Sequence, residues 1–406
     1  MLRNIVDLPD AEIRGKKVFL RVDFNVSINN GTVGQDYRIR MAIPTIEYLI
    51  KRGAIVILAS HLGKPTQPDP KYSLRPVSQR LSQIMRSTKV MFVNDCVGNI
   101  VHEQIDKMKS GEILLLENLR FHIEEERNDL EFSQQLSSLA DIYVNDAFSV
   151  SHRKHASTYG AAKLFDIKLS GLNLKKEIEY LSNVRENPIK PFILLIGGIK
   201  IKDKIGALEN LLPKADKVLL GGATAFTFLK ASGIPVGNSP VENEYLPWAA
   251  NTLSEYKDKI MLPEDHIVSD FSVKENPDLS PSLGFTASVV KHIPDCMSGY
   301  DIGIETVLRY SSEICGDTKP GTIFWNGPMG LFEIPRFANG TVSVARDIAL
   351  AFWRGSQTLI GGGDTIEALK VADVSEREVS HVSTGGGATL KFLAGNEMPG
   401  LDILEN

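Results

Sequence analysis

Short apolar runs, each closing on a polar or glycine-rich cluster and followed by a helix-like segment, recur along the whole of this sequence. In the first half they are Val18–Val22, Ala54–Ala59, Val90–Val93, Ile113–Leu116 and Ile142–Val144. In the second they are Phe192–Ile196, Val218–Leu220, Ile260–Leu262, Thr322–Trp325, Thr358–Ile360 and Val379–Val382. Runs this short and this continuously apolar suit strands buried on both faces, and their alternation with helices suits parallel sheets. Two such sets in series predict an α/β fold of two doubly wound, Rossmann-like parallel-sheet domains. Between the sets, Leu174, Ile178, Leu181 and Val184 share one helical face, and Asn187-Pro188 and Lys190-Pro191 end that helix. The expected division is 1–172 for the first domain, 173–387 for the joining helix and second domain, and 388–406 for a segment returning to the first.

Bulk properties narrow the classes. The 406 residues are enough for two or three domains, and 43% hydrophobic with 23% charged residues is an ordinary globular balance. A net charge of −5 argues against a nucleic-acid partner, whose binding surface usually makes a domain basic. Cys96, Cys296 and Cys315 form no C-x-x-C pair and are too scattered for a disulfide framework, so reduced, cytoplasmic thiols are expected. Met1–Lys17 has no uninterrupted apolar core of a secretory signal, and no apolar stretch approaches the roughly 18 residues of a membrane helix. No membrane partner is expected.

Ligands of open α/β sheets sit beyond the carboxyl ends of the strands. In the first half those ends carry Arg21-Val-Asp23-Phe-Asn25, with Arg38 and Arg40 further on, then Ser60-His61-Leu-Gly63-Lys64, Glu117-Asn118-Leu-Arg120 and Asn145-Asp146, with His152 and Arg153 following. If these ends converge, Arg38, His61, Lys64, Arg120, His152 and Arg153 form a pocket for a small, strongly anionic ligand. Any one such cation would ordinarily be a solvated surface group; several successive strand ends are another matter.

In the second half the strand ends carry glycine: Gly197-Gly198-Ile-Lys200, Gly221-Gly222, Gly327-Pro-Met-Gly330, Gly361-Gly-Gly-Asp364-Thr365 and Gly385-Gly-Gly387. Glycine lets backbone N–H groups approach phosphate closely, and a following helix adds its positive end. One glycine pair is usually a tight turn, whereas five clusters suit an extended nucleotide. Neither G-x-x-x-x-G-K-[ST] nor G-x-G-x-x-G occurs, nor H-E-x-x-H or G-x-S-x-G, which disfavours Walker-type, dehydrogenase, zinc-protease and serine-hydrolase chemistry. His152-x-x-His155 lacks a third metal ligand. Asp364 reads either as a Mg²⁺ ligand beside phosphates or as a helix N-cap.

These segments resemble the phosphoglycerate kinase family over nearly the whole chain. Arg21-Val-Asp-Phe-Asn-Val26, Ser60-His-Leu-Gly-Lys-Pro65, Leu116-Glu-Asn-Leu-Arg-Phe121 and Tyr143-Val-Asn-Asp-Ala-Phe148 are similar to its acid-binding motifs. Gly197-Gly-Ile-Lys-Ile-Lys-Asp-Lys-Ile205, Phe324-Trp-Asn-Gly-Pro-Met-Gly330, Gly361-Gly-Gly-Asp-Thr365 and Ser383-Thr-Gly-Gly-Gly-Ala388 are similar to its nucleotide-binding ones. The resemblance implies reversible phosphoryl transfer between ATP and 3-phosphoglycerate, giving ADP and 1,3-bisphosphoglycerate, by a monomer with Mg²⁺, the ligands lying in the cleft between the domains. It implies that Asp23, Phe24, Asn25, Arg38, His61, Leu62, Gly63, Lys64, Arg120 and Arg153 hold the acid. Lys200, Lys204, Asn326, Glu333, Gly361, Gly362, Gly363, Asp364 and Thr365 would meet the nucleotide, with Asp364 also holding Mg²⁺. Arg38, Lys200 and the amides of Gly385 and Gly386 would serve the transferring group.

The chain departs from the family pattern at Ser27 (usually Pro), Lys64 (usually Arg), Ile199 and Lys202 (usually Ala and Ser) and Ser149-Val-Ser151 (usually Gly-Thr-Ala). The acceptor carboxylate is already a nucleophile, so the lack of a triad or an acid pair fits. Two rivals stand beside this expectation, another acyl-phosphate-forming kinase and a non-catalytic nucleotide-responsive binding protein. With the acid and the nucleotide assigned to different sheets, catalysis is expected to need the two domains to close on each other.

Overall fold

The computed structural model describes residues 2–273, 286–317 and 319–405. The chain divides into two compact units, Met1–Glu179 with Glu397–Asn406, and Tyr180–Asn396. The first division falls inside the helix Leu172–Glu186 rather than at its start, and the second falls after the helix Gly387–Leu393, which stays with the second unit. The reason lies in that last helix: Ala388, Thr389, Phe392 and Leu393 are buried, and the Asn210 side chain donates to the Leu393 carbonyl. Of the expected returning segment, only the residues from Glu397 onward belong to the first unit.

In the first unit the strands are β1 (Lys17–Arg21), the hairpin β2 (Ile28–Asn29) and β3 (Thr32–Val33), β4 (Ile55–Ala59), β5 (Val90–Phe92), β6 (Ile113–Leu115), β7 (Ile142–Asn145) and β8 (Ile167–Ser170). The described strands form a six-stranded sheet in the order β5-β6-β4-β1-β7-β8, parallel throughout. Val18, Phe19, Leu20, Val56, Ile57 and Leu58 are fully buried, which is why these runs lack the polar alternation of a half-exposed sheet. After β1 the chain builds one side of the sheet and then returns beside β1 as β7, so the switch point lies between β1 and β7. The segment beyond Glu397 straps onto the turn after β7: the Gly400 N–H donates to the Ser151 carbonyl (2.8 Å), and Asn145 Nδ2 donates to the Gly400 carbonyl (2.9 Å).

In the second unit the strands among the described residues are β9 (Phe192–Ile196), β10 (Lys217–Leu220), β11 (Ile260–Met261), β12 (His266–Ser269), β13 (Ala287–Val290), β14 (Ser298–Ile302), β15 (Thr322–Asn326), β16 (Gln357–Gly361) and β17 (His381–Ser383). Six of them make a second parallel sheet, β11-β10-β9-β15-β16-β17, with its switch point between β9 and β15. The other three make an antiparallel sheet, β13-β12-β14. Among the described residues no helix is long and apolar enough to cross a membrane.

Candidate functional site: a basic pocket and a glycine-lined cavity

The first unit gathers its cations at the carboxyl ends of β1, β4 and β7, around its switch point. Asp23, two residues past β1, is the hub of one side. Its Oδ2 takes the Arg38 guanidinium and the Ser149 hydroxyl (2.6 Å), while its Oδ1 accepts from the Asn25 N–H (3.0 Å). Ser149, one of the departures from the family pattern, thus adds a bond to this carboxylate. Asn25 Oδ1 accepts the Gly63 N–H (2.8 Å). Gly63 has φ +62°, and a Cβ there would stand 2.5 Å from the Tyr72 ring, so the turn requires glycine.

Arg120 is braced from below. Its Nε meets Glu126 (2.9 Å) and its Nη1 donates to the Gly63 carbonyl (2.6 Å). Its Nη2 is buried with no hydrogen-bond partner. A guanidinium is always charged, and leaving one buried N–H of it unpaired costs about 1–3 kcal/mol or more. An anion at this position removes that cost. His61, 5% exposed, lies among the same groups: burial first, then the charges of Arg21, Arg120, Arg153 and Arg38, push its imidazole well below the usual range. Four guanidiniums acting on one imidazole mark a concentrated positive field.

The residues implied by the family resemblance do not all face this pocket. Phe24 and Leu62 are buried in the apolar core, so only their main chains are available; the Phe24 N–H is held by Ser60 Oγ (2.9 Å) and the Leu62 N–H by Asn118 Oδ1 (3.2 Å). Lys64 is exposed. Arg40, also exposed, is paired with Asp36 (2.9 Å). Arg153 is half-buried and donates from Nε to His152 Nε2 (3.1 Å). Arg21, which stands at a strand end but is not among the cations expected in the pocket, is 1% exposed and reaches toward His61.

One further cluster, Asp95, Cys96 and His122, has ligand atoms within 4.8 Å of one another. Burial and the charges of Asp95, Glu117 and Glu125 push the Cys96 thiol well up, and its Sγ–H donates to the Glu117 carbonyl. A metal needs the thiolate, so this group reads as a hydrogen-bonded brace, with His122 Nε2 and Asp95 Oδ1 2.8 Å apart.

In the second unit the glycines divide into two kinds. At Gly197, Gly222 and Gly327, loops after neighbouring strands touch backbone to backbone. A Cβ at Gly197 would stand 2.1 Å from the Pro328 carbonyl oxygen, at Gly327 2.4 Å from that of Gly197, and at Gly222 2.6 Å from the Gly198 nitrogen. Their N–H groups are spent on each other's loops: Gly197 on the Asn326 carbonyl (2.9 Å), Gly198 on Pro328 (2.7 Å) and Gly222 on Met329 (2.8 Å). In these three clusters the glycines let the loops pack on one another, and Gly198 and Gly222 also line the cavity described below. Gly363, Gly386 and Gly387 are different, because a Cβ at any of them would meet nothing within 4 Å. Open space lies where their side chains would stand.

Asn326 and Thr365 lock the cradle together. Asn326 Nδ2 and Thr365 Oγ1 both donate to the Gly361 carbonyl (2.7 and 2.8 Å). Thr365 is fully buried and Asn326 5% exposed. Both side chains are therefore occupied with the loops themselves. Asp364 is exposed in the first turn of the helix Gly363–Val371, whose N-cap is Gly362, so it is not a cap. No hydrogen bond or ion pair engages its carboxylate among the described residues. Lys204 is 7% exposed and donates to the Lys200 carbonyl (3.0 Å); burial lowers its affinity for protons, and Asp203, Glu242 and Asp364 oppose that. Lys200 itself is exposed.

Beside this cradle a cavity of about 770 Å³ is lined by, among others, Ile199, Phe226, Pro240, Asp301, Glu333 and Asp364. Its size and mixed lining suit a small molecule with one apolar and one polar end. Partial burial and the Asp364 charge raise Glu333 above the ordinary carboxylate range.

A family model described as phosphoglycerate kinase matches residues 8–396. The chain is 45% identical to the phosphoglycerate kinase of Dictyoglomus turgidum over all of this chain and 99% of that one. To the cytosolic phosphoglycerate kinase of Nicotiana tabacum it is 43% identical, over all of this chain and 99% of the relative. Solved structures of phosphoglycerate kinases from Coxiella burnetii (TM-score 0.83, 35% identity, all of this chain and 99% of that one) and Pyrococcus horikoshii (0.84, 33%, all and 98%) share the fold.

Proposed function

The chain belongs to the phosphoglycerate kinase family, and from that premise we propose that its basic pocket holds 3-phosphoglycerate while its glycine-lined cavity holds ATP or ADP. The activity is that of the family, a glycolytic phosphotransfer with a carboxyl group as acceptor. The observation that carries the assignment of the acid is Arg120 Nη2, a buried, charged donor with no partner, set among Arg38, His61 and Arg153. Such a pocket stabilises two anionic ends of a three-carbon acid through charge-assisted bonds.

On the nucleotide side, the cavity wall of Ile199, Phe226 and Pro240 takes the base, and the N–H groups of Gly363, Gly386 and Gly387, where no side chain stands in the way, donate to phosphate oxygens. Gly385 and Gly362 belong to the same two turns. Glu333 stands at the cavity wall, where it would meet the ribose or phosphates. The free Asp364 carboxylate fits a hard divalent cation that takes its other ligands from phosphate and water, as Mg²⁺ does beside nucleotides. Bound there, Mg²⁺ neutralises phosphate charge.

The residues of this chain then do three things. The basic pocket orients the acid, whose carboxylate is its own nucleophile and needs no general base. Arg38 on the acid side and Lys200 on the nucleotide side offer charge to the equatorial oxygens of the transferring phosphoryl. Lys204, held against its own loop, keeps a fixed charge beside the nucleotide phosphates. The reduced thiols Cys96, Cys296 and Cys315 support a cytoplasmic location. The test is a coupled assay with ATP, Mg²⁺ and 3-phosphoglycerate; protein that binds ATP yet turns over none of the acid would overturn the reading.

A further inference from the structure

Arg21 ends β1 and is almost wholly buried. Its three nitrogens are all engaged. Nε donates to Ser157 Oγ (2.8 Å), Nη1 to the Val22 carbonyl (2.5 Å), and Nη2 lies 3.3 Å from His61 Nδ1. Ser157 is itself held by the buried Glu125, whose two oxygens take its N–H (2.8 Å) and its hydroxyl (2.6 Å). Glu125 supplies the countercharge for Arg21. A chain Glu125–Ser157–Arg21–His61 therefore runs from the core to the basic pocket.

We propose that Arg21 is a positioning residue for His61: its donor-only guanidinium forces Nδ1 to accept, which leaves the ring neutral with its proton on Nε2, and that Nε2–H is the group offered to the acid. An arginine has no acceptor, so the contact at Nδ1 exists only when that nitrogen is unprotonated. Nε2 has no hydrogen-bond partner among the described residues. The charged groups facing the ring are Arg21, Arg38, Arg120 and Arg153, all cationic, and each opposes a second proton. The site thus keeps one histidine as a fixed N–H donor among guanidiniums, where an imidazolium would add repulsion. This inference rests on the assignment of the basic pocket to 3-phosphoglycerate.

The experiment is a long-range proton–nitrogen spectrum of the full chain labelled with ¹⁵N-histidine. The His61 signal is identified by its loss in His61→Gln. The expected result is an unprotonated Nδ1 and a protonated Nε2 that do not titrate between pH 5.5 and 8, with the Nε2 resonance moving when 3-phosphoglycerate is added. In Arg21→Met the tautomers should mix, titration should return, and the KM for the acid should rise about tenfold with little change in kcat, the scale of one charge-assisted hydrogen bond. Arg21→Lys, also a donor without an acceptor, should keep the Nε2–H tautomer. Ser157→Ala removes only the brace and gives a second reading should Arg21→Met fold poorly. A wild-type spectrum with Nδ1 protonated, or with His61 titrating near 6.5, overturns the proposal. The expected tautomer with an Nε2 signal indifferent to the acid, and an unchanged KM in His61→Gln, overturns the pocket assignment instead and removes the donor role with it.

Discussion

The Gly327 N–H donates to the Thr365 hydroxyl at 2.8 Å, and that hydroxyl donates in turn to the Gly361 carbonyl at 2.8 Å. One buried oxygen thereby ties the turn after β15 to the end of β16 and the first turn of the next helix. Thr365→Val keeps the shape and leaves the Gly327 N–H unpaired. The expected cost is about 1–3 kcal/mol of stability, the penalty of an orphaned buried donor. Urea unfolding measures it, and a midpoint unchanged from wild type would mean that water replaces the hydroxyl.

Arg120 divides its donors between Glu126, the Gly63 carbonyl and an empty direction. A lysine cannot serve all three from one ammonium. Arg120→Lys should raise the KM for 3-phosphoglycerate about tenfold or more and leave the KM for ATP near wild type. Equal changes in both constants would show that Arg120 acts on the fold and not on the acid.

Lys200 is exposed and unshielded, as a group that acts only on a developing charge would be. Lys200→Ala should lower kcat by roughly 10²-fold or more, on the scale of losing one transition-state donor, with a smaller change in KM. A variant with normal kcat and altered KM would reassign Lys200 to ground-state binding.

Gly362 and not Asp364 caps the helix Gly363–Val371, so the rival explanation of Asp364 as an N-cap fails on geometry. Asp364→Asn should therefore raise the Mg²⁺ concentration giving half-maximal rate. Its effect on stability should be a few tenths of a kcal/mol, the size of a lost helix-dipole contact. Titration of the rate with Mg²⁺ at saturating ATP decides; an unchanged half-maximal concentration would remove Asp364 from the cation.

His266, on β12 beside the Phe226 ring, is 3% exposed, and burial brings its imidazole down to about 4. Its folded value lies below its unfolded one near 6.5, so between them the unfolded chain binds the extra proton. Stability from this group is intact above about pH 6.5 and falls as pH drops towards 4, by up to about 3 kcal/mol. His266→Phe should flatten that part of the pH profile. Denaturant midpoints of both proteins at pH 7 and pH 4.5 give the comparison, and parallel profiles would show that His266 does not carry the slope.

The parallel sheets were legible because their central strands are continuous apolar runs buried on both faces, as from Val18 to Leu20 or Phe192 to Ile196. β8 escaped notice because Ile167-Lys168-Leu169-Ser170 alternates, as an edge strand does. The antiparallel sheet escaped for a related reason: β13 is largely exposed, and β14 carries Ser298, Gly299 and Asp301. The glycine clusters were legible as loops but not by purpose. Whether a missing Cβ makes room for a neighbouring loop, as at Gly197, or for open space, as at Gly363, depends on partners far away in sequence. Arg21 was missed for the same reason: Ser157, Glu125 and His61, which give it meaning, lie on separate segments. Its one signal was a cation ending an apolar run.

The strap formed by Gly400 has a consequence for how the chain is made. A ribosome releases residues 1–179 early, yet the Ser151 carbonyl and the Asn145 carboxamide find Gly400 only after all of the second unit has been translated. Throughout that interval the turn after β7 must wait unlatched, with Leu401 and Leu404 not yet buried. Synthesis thus finishes the first unit last, and a message cut short before Glu397 yields a protein whose defect lies in the part that was translated first.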